Sequence, residues 1–364
     1  MRIAVIGAGI FGVTVASKAA RAGYKVDLFD TKRGPMKGAS WCNQFRLHRG
    51  YHYPRSPKTG WECRIGNHGF FEEYGEAIIP CSPYGQERHY YAIARAGSLT
   101  SVKKYRSFLD EAGLWNRPVT NSPLFNRHEI RFAMLADEGR IDPIIMLRLM
   151  KEKLSHRNIT CHWSREFPYA EKNDYDRIVA ACYSGNEAVL KNLGQTPTKR
   201  LYEVVEKPLI SLPPRFEKTS VVIMDGPFSS VDPYGRSSLH LFGHAKYALH
   251  EEFIGIEPNI PAWLKGMIDV GCVGHDDPGL REYSKFGKMI DDAKRYLPFL
   301  DHAEHVGSMF TVRAVLPNED ETDKRPTLVR RHGNHRIYSI FSGKISTCVK
   351  AADQVLSRFE KAVA

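Results

Sequence analysis

Two histidines, three arginines and two tyrosines fall within residues 38–60, GASWCNQFRLHRGYHYPRSPKTG, and no carboxylate is among them. Such a stretch suits one of three chemistries. Cations interleaved with aromatic rings can track a polynucleotide, neutralising its phosphates and stacking on its bases. Paired imidazoles can hold a metal ion, and His48 and His52 have the i, i+4 spacing of helical ligands. The third is the wall of a pocket for an anionic cofactor, where a histidine can also exchange protons near neutral pH. Gly50 separates the two histidines, Pro54 follows them and no acidic third ligand is near, so the metal reading is the weakest. In an extended segment the same spacing puts both rings on one face.

The N-terminus bears on that choice. RIAVI, residues 2–6, is a β-rich run that ends at Gly7-Ala8-Gly9-Ile10-Phe11-Gly12, and a helical stretch follows to Ala22. A second β-rich run, YKVDLFD, ends in Asp30, 18 positions past the third glycine. Strand, glycine turn, helix, strand and terminal acid together predict a dinucleotide-binding unit. Gly7 permits the tight turn, Gly9 lets the backbone approach a pyrophosphate, and Gly12 lets the helix pack closely. The helix N-terminus offers N–H groups and partial positive charge to the phosphates. Asp30 is placed to accept hydrogen bonds from the adenosine ribose, which favours a free 2′-hydroxyl, as in FAD or NAD; Lys32 and Arg33 nearby weaken that preference.

The elements that would carry these residues fit a two-lobed chain, since single cores stop growing near about 250–300 residues and this one has 364. No run of roughly 18 apolar residues could span a bilayer. The opening MRIAVIGAGIFG imitates a secretory signal, but its glycines and helical continuation suit a folded domain and a cytoplasmic protein. Seven cysteines, dispersed and without a C-x-x-C pair, give neither a disulfide framework nor a structural zinc site. The net charge of +11 is compatible with a basic surface, an anionic cofactor, an anionic substrate or a nucleic acid.

Further along, residues 59–78 and 98–114 read as helices around a strand-like ERHYYAIAR. Residues 139–161 give a turn, a helix that starts at Pro143, and a β-rich tail. YDRIVAAC at 175–182 reads as a buried strand. From 199 to about 250, β runs alternate with the turns DGPF and DPYG, which predicts a mixed or antiparallel sheet. Helices near 259–270 and 281–296 follow. The chain closes with a strand, a glycine turn and an amphipathic helix.

IAVIGAGIFG with Asp30, GASWCNQ at 38–44, GRIDPIIMLRLM at 139–150, YDRIVAAC, VRAVLP at 312–317 and SGKISTCVKAADQV at 342–355 resemble the D-amino-acid-oxidase superfamily of FAD-dependent oxidoreductases, which includes glycine oxidase and sarcosine oxidase. The resemblance implies an α/β fold. A Rossmann-like, glutathione-reductase-like FAD-binding domain would be discontinuous over 1–85, 139–198 and 310–364. A second, α+β substrate domain would span 86–138 and 199–309 on a mixed or antiparallel sheet. It implies FAD contacts from Gly7, Gly9, Ile10, Phe11, Gly12, Asp30 and Lys32, and from Ser40 and Asn43 in a pyrophosphate loop. Gln44 to Tyr53 would run along the isoalloxazine ring. Gly343, Lys344, Ile345 and Ser346 would bring a helix N-terminus to the flavin's O2 edge, where reduced flavin carries negative charge. Arg313 falls where relatives often keep a cation for the substrate carboxylate.

The implied activity removes a hydride from a C–H next to an amine or hydroxyl of a small anionic substrate, the imine then hydrolysing, with dioxygen or another acceptor regenerating the cofactor. Candidate catalytic residues are His48, His52, Arg46, Tyr53 and Arg313. Two departures stand out: Cys182-Tyr183-Ser184-Gly185 replaces the usual motif after the strand, and FRLHRGYHY is bulkier than the usual flavin segment. Alternatives are an FAD enzyme acting on an amine carried by a nucleotide, nucleic acid or sugar nucleotide, and a non-oxidase flavoprotein such as a sugar mutase. Direct nucleic-acid binding is the less favoured reading. Between Asp30 and Glu62 lie seven Lys or Arg residues, a surplus over what FAD needs that points to an anionic substrate.

Overall fold

The strand β1 (Arg2–Ile6) is apolar after its first residue because it lies at the centre of a sheet covered on both faces. The computed structural model of the chain describes residues 1–82, 85–317, 325–333 and 336–360. Helix α1 (Ile10–Arg21) follows β1 across the glycine turn, and β2 (Lys25–Asp30) returns parallel to it, with Val5 opposite Leu28. The remaining strands of this six-stranded sheet come from distant parts of the chain. Arg177–Ala180 flanks β1, Ile337–Phe341 lies beyond it, and Ile159–Trp163 borders β2, all parallel. Leu328–His332 adds an antiparallel edge. Val13 and Ala16 of α1, Met146 and Met150 of helix Pro143–Leu154, and Val355 and Phe359 of the last helix, Cys348–Glu360, share one buried core against this sheet.

Among the described residues a second sheet has ten strands and mixed pairing. Its long central strands, Arg200–Ser211 and Glu304–Val315, run antiparallel, with Glu203 opposite Arg313 and Lys207 opposite Met309. Leu239–His244, Ser229–Pro233, Thr219–Ile223, Arg88–Ala94 and Ile130–Ala136 extend it, and only Thr219–Ile223 with Arg88–Ala94 is a parallel pair among the described residues. Two details differ from the sequence-based expectation. Ser229–Pro233 is a strand, although it sits between two turn signals, because both its neighbours supply ladder partners. Glu304–Val315 stays on the second sheet to its end, so a domain boundary at residue 310 cuts a continuous strand.

A small third sheet lies at the basic stretch. Arg46–Leu47 and Ile78–Ile79 both pair antiparallel with Gly139–Ile141, which brings residue 138 to the edge of residues 46–53. Tyr51 and Tyr53 are only 1% and 4% exposed, so they form no surface platform for stacking bases. Tyr51 stacks on Tyr91 with ring centroids 5.6 Å apart and donates to the Trp115 carbonyl at 2.6 Å. Among the described residues no helix is long and apolar enough to cross a membrane, all seven cysteines are free, and no cluster of three metal-ligating side chains forms.

Candidate functional site

A cavity of about 880 Å3 runs from the glycine turn after β1 to the face of the second sheet. At one end Gly7 has φ +100°, the left-handed region where a side chain is strained, and a Cβ there would stand 2.7 Å from the Ala181 carbonyl oxygen. A Cβ on Gly12 would fall 1.8 Å from the Gly7 carbonyl oxygen, so the helix can sit this close only without a side chain. Gly9, Ile10 and Phe11 line the cavity itself. The Ser40 hydroxyl accepts from the Ile10 N–H at 3.0 Å, which brings the 38–43 loop over the start of α1. Asn43 holds that loop in shape, donating to the Ser40 carbonyl at 2.9 Å and accepting from the Phe45 N–H at 2.7 Å. Asp30 accepts from the Ala8 N–H at 2.6 Å and the Lys32 N–H at 2.8 Å, while the Lys32 ammonium turns out to Asp269.

These groups fit FAD on the observation of the bare backbone at Gly9: a Cβ there would meet the Ser40 hydroxyl at 3.1 Å and fill the cradle that phosphates need. From the other side, Gly343, Lys344 and Ile345 line the same cavity. The Lys344 ammonium donates to the Arg325 carbonyl at 2.6 Å and lies 4.7 Å from the Tyr53 ring centre. Ser346 is instead buried away from the cavity, its carbonyl packed against Gly66 of helix Pro57–Tyr74.

The catalytic candidates separate. Arg46 is 1% exposed in its side chain and forks onto Asp232, Nε to Oδ1 at 2.8 Å and Nη2 to Oδ2 at 2.5 Å. Burial would raise the Asp232 carboxyl, but Arg46 and the Ser220 hydroxyl hold it below its ordinary value. Arg46 thus commits two of its five N–H donors to a buried ion pair with Asp232, and the residue also lines the cavity. His48, His52 and Tyr53 form an aromatic cluster on the cavity wall, with His48 centroids 5.8 Å from His52 and 5.7 Å from Tyr53.

Behind His48 stands Glu138, which sequence reasoning missed because DEGR reads as a turn. Its carboxylate receives His48 Nδ1 at 3.2 Å, the Tyr91 hydroxyl at 2.6 Å and the Arg49 N–H at 2.9 Å. Burial pushes this carboxyl up, yet the charge and hydrogen bond of His48, with His89 and Tyr91, hold it well below the ordinary range. When the ring is neutral, an ionised acceptor there favours the proton on Nδ1 and leaves Nε2 as the acceptor.

The second sheet supplies the far wall. Glu203, Val205 and Lys207 alternate along one strand, and Thr311 and Arg313 face the cavity from the next. Arg313, 37% exposed, lies 3.4 Å from Glu203 but donates no hydrogen bond among the described residues. Lys207 was also missed; the signal available was the period-two alternation of EVVEK, which puts positions 203, 205 and 207 on one face.

A sequence profile of the family described as "FAD dependent oxidoreductase" (DAO) matches residues 2–326. Among characterised proteins, the "FAD-dependent monooxygenase FPY4" of Fusarium mangiferae is 23% identical over 377 aligned residues, covering 98% of this chain and 90% of that protein. The "FAD-dependent monooxygenase kojA" of Aspergillus flavus is 33% identical over 104 residues, 29% of this chain and 23% of the other. Among solved structures, the fold is similar to glycine oxidase from Geobacillus kaustophilus, with TM-score 0.70, 12% identity and coverage of 99% and 95% of the two chains. L-amino acid deaminase from Proteus vulgaris is similar with TM-score 0.66, 12% identity and coverage of 99% and 93%. The chain belongs to the DAO family of FAD-dependent oxidoreductases, and FAD is its cofactor.

Proposed function

We propose that this chain oxidises a carbon bearing an amine or hydroxyl in a small anionic substrate. The observation that carries this reading is that one cavity joins the Gly9 turn to Arg313 and His48. Bound FAD supplies the two-electron oxidant, accepting the hydride of the substrate C–H bond. The protein's own residues orient the substrate and move a proton. Arg313, with donors not used in hydrogen bonds, can hold a carboxylate bidentately and so fix which C–H is presented. His48, positioned by Glu138, accepts the N–H or O–H proton at Nε2. An imine product then hydrolyses in water, and dioxygen or another acceptor takes up the electrons. The solved neighbours named as glycine oxidase and amino-acid deaminase support the amine class. We assign residues 1–85, 139–198 and the segment after Val315 to cofactor binding and 86–138 with 199–315 to the substrate.

The test is an anaerobic panel of small amino acids, N-substituted glycines, 2-hydroxy acids and amine-bearing nucleotides, read by bleaching of the flavin absorbance. Bleaching by small amino or hydroxy acids is expected; bleaching by nucleotide-linked amines alone would overturn the reading. Because the curated relatives are named monooxygenases, the product is also analysed after turnover in 18O2. An oxidase leaves the label in peroxide or water, whereas label in the organic product identifies oxygen insertion.

A further inference from the structure

Lys207 projects from strand Arg200–Ser211 into the cavity, and its ammonium has neither hydrogen-bond nor ion-pair partner among the described residues. A lysine in such a place is rarely left unmatched, because a desolvated charge needs a counter-charge or strong acceptors. Its surroundings are rich in donors. The point where a Cβ of residue 243 would stand is 2.7 Å from Gln44 Nε2, 3.0 Å from the Ser230 hydroxyl oxygen and 3.6 Å from Lys207 Nζ. Three polar groups therefore converge on a patch of wall that Gly243 keeps clear. The Gln44 amide donates to the Ser230 oxygen at 2.7 Å, which leaves the Ser230 proton to be directed elsewhere.

The local acids are already matched. Asp232 is forked by Arg46, and Glu203 lies against Arg313. Burial pushes the Cys42 thiol up to about 12, so it stays neutral. We propose that Lys207, with Gln44 and Ser230, forms an anion subsite separate from Arg313, and that the substrate is a short amino or hydroxy dicarboxylate spanning the two. This inference rests on the reading that Arg313 receives one carboxylate. Lys207 lies opposite Met309 and Arg313 opposite Glu203, so the two cations are four residues apart along the sheet. At about 3.3 Å per residue that is roughly 13 Å between backbones, too far for one carboxylate to be the natural bridge but within reach of two long side chains and a few intervening carbons. Burial lowers the ammonium to about 8, with Arg313 and Arg46 adding to the effect, so it remains mostly protonated at neutral pH and gains from an incoming anion.

The experiment titrates the FAD-loaded protein with non-reacting probes, acetate against malonate, succinate and glutarate, following the flavin difference spectrum. One dicarboxylate is expected to bind about tenfold or more tightly than acetate, the effect of one added charge-assisted hydrogen bond. Lys207→Gln should abolish that ratio and leave acetate binding within about twofold of its original value, the scale of an interaction not lost. Lys207→Met is the control for packing and should give the same result. The proposal is overturned if the unaltered protein shows no dicarboxylate preference, if both Lys207 variants weaken acetate as much as dicarboxylate, or if they shift the flavin spectrum and leave the ratio intact. Failure of the Arg313 reading looks different: Arg313→Gln would leave acetate binding unchanged.

Discussion

Replacing Glu138 by Gln keeps the shape of a buried group while removing its charge. If the amide oxygen takes the position that serves His48 Nδ1 and Tyr91, the amide nitrogen meets the Arg49 N–H, and two donors face each other. The flipped amide is worse, since it opposes two donors instead of one. Leaving one buried N–H unsatisfied costs about 1–3 kcal/mol, and weakening two charge-assisted bonds to neutral ones adds roughly 1 kcal/mol. A total near 2–4 kcal/mol should lower the melting temperature by about 3–5 °C for a chain of this size. For catalysis, His48 keeps only a neutral acceptor where an ionised one held its Nδ1–H, and the rate of flavin bleaching at low substrate concentration should fall about 10–100-fold. The decisive measurement is the double variant with His48→Gln. If Glu138 acts through His48, the second change adds little to the first, because residues that work as a unit are not additive. Unchanged bleaching in Glu138→Gln, or effects that multiply in the double variant, would refute the role assigned to both residues.

Gly12→Ala should abolish FAD retention, read as flavin absorbance per protein, because the Cβ would stand 1.8 Å from the Gly7 carbonyl oxygen and nothing flexible can yield. Arg46→Ala should destabilise the fold by about 3–5 kcal/mol, measured by denaturant unfolding, because Asp232 would be left as an uncompensated buried charge. The dicarboxylate preference should be full near pH 7, where both carboxylates of the probe are ionised, and fade as the pH rises through about 8. Lys207 carries charge only below its value of about 8, and Asp232 and Arg46 beside it keep theirs throughout. A preference that instead grew between pH 7 and 9 would exclude the lysine as its source.

The cofactor half of the molecule was legible because local chemistry enforces it. A strand that must be apolar, glycines that must lack Cβ atoms at positions 7 and 12, and an acid that closes β2 all sit within 30 residues. The walls proposed for the substrate depend on pairings across long separations. Glu138 reaches His48 across 90 positions, and Asp232 reaches Arg46 across 186. Nothing in DEGR or SSVDP announces either partner, since each becomes a partner only once the small third sheet and the second sheet bring it there. Arg46, read for its chemistry alone, also holds the architecture through Asp232, and Lys207 passed as one polar position in an alternating strand.

The basic stretch between Asp30 and Glu62 has to be reweighed on the same ground. Its surplus of cations pointed to an anionic substrate, yet four of the seven are matched by carboxylates from elsewhere in the chain. Arg46 takes Asp232, Arg49 takes Asp137, Arg55 takes Asp225 at 2.7 Å, and Lys32 takes Asp269. Those charges fasten the stretch to the second sheet and its loops, so their number says little about what enters the cavity. The case for an anionic substrate moves to the opposite wall, where among the described residues Arg313 donates no hydrogen bond and Lys207 has no ion-pair partner. Two cations against one neighbouring acid, Glu203, leave that wall with a net positive charge, which is what supports the proposal of an anionic substrate.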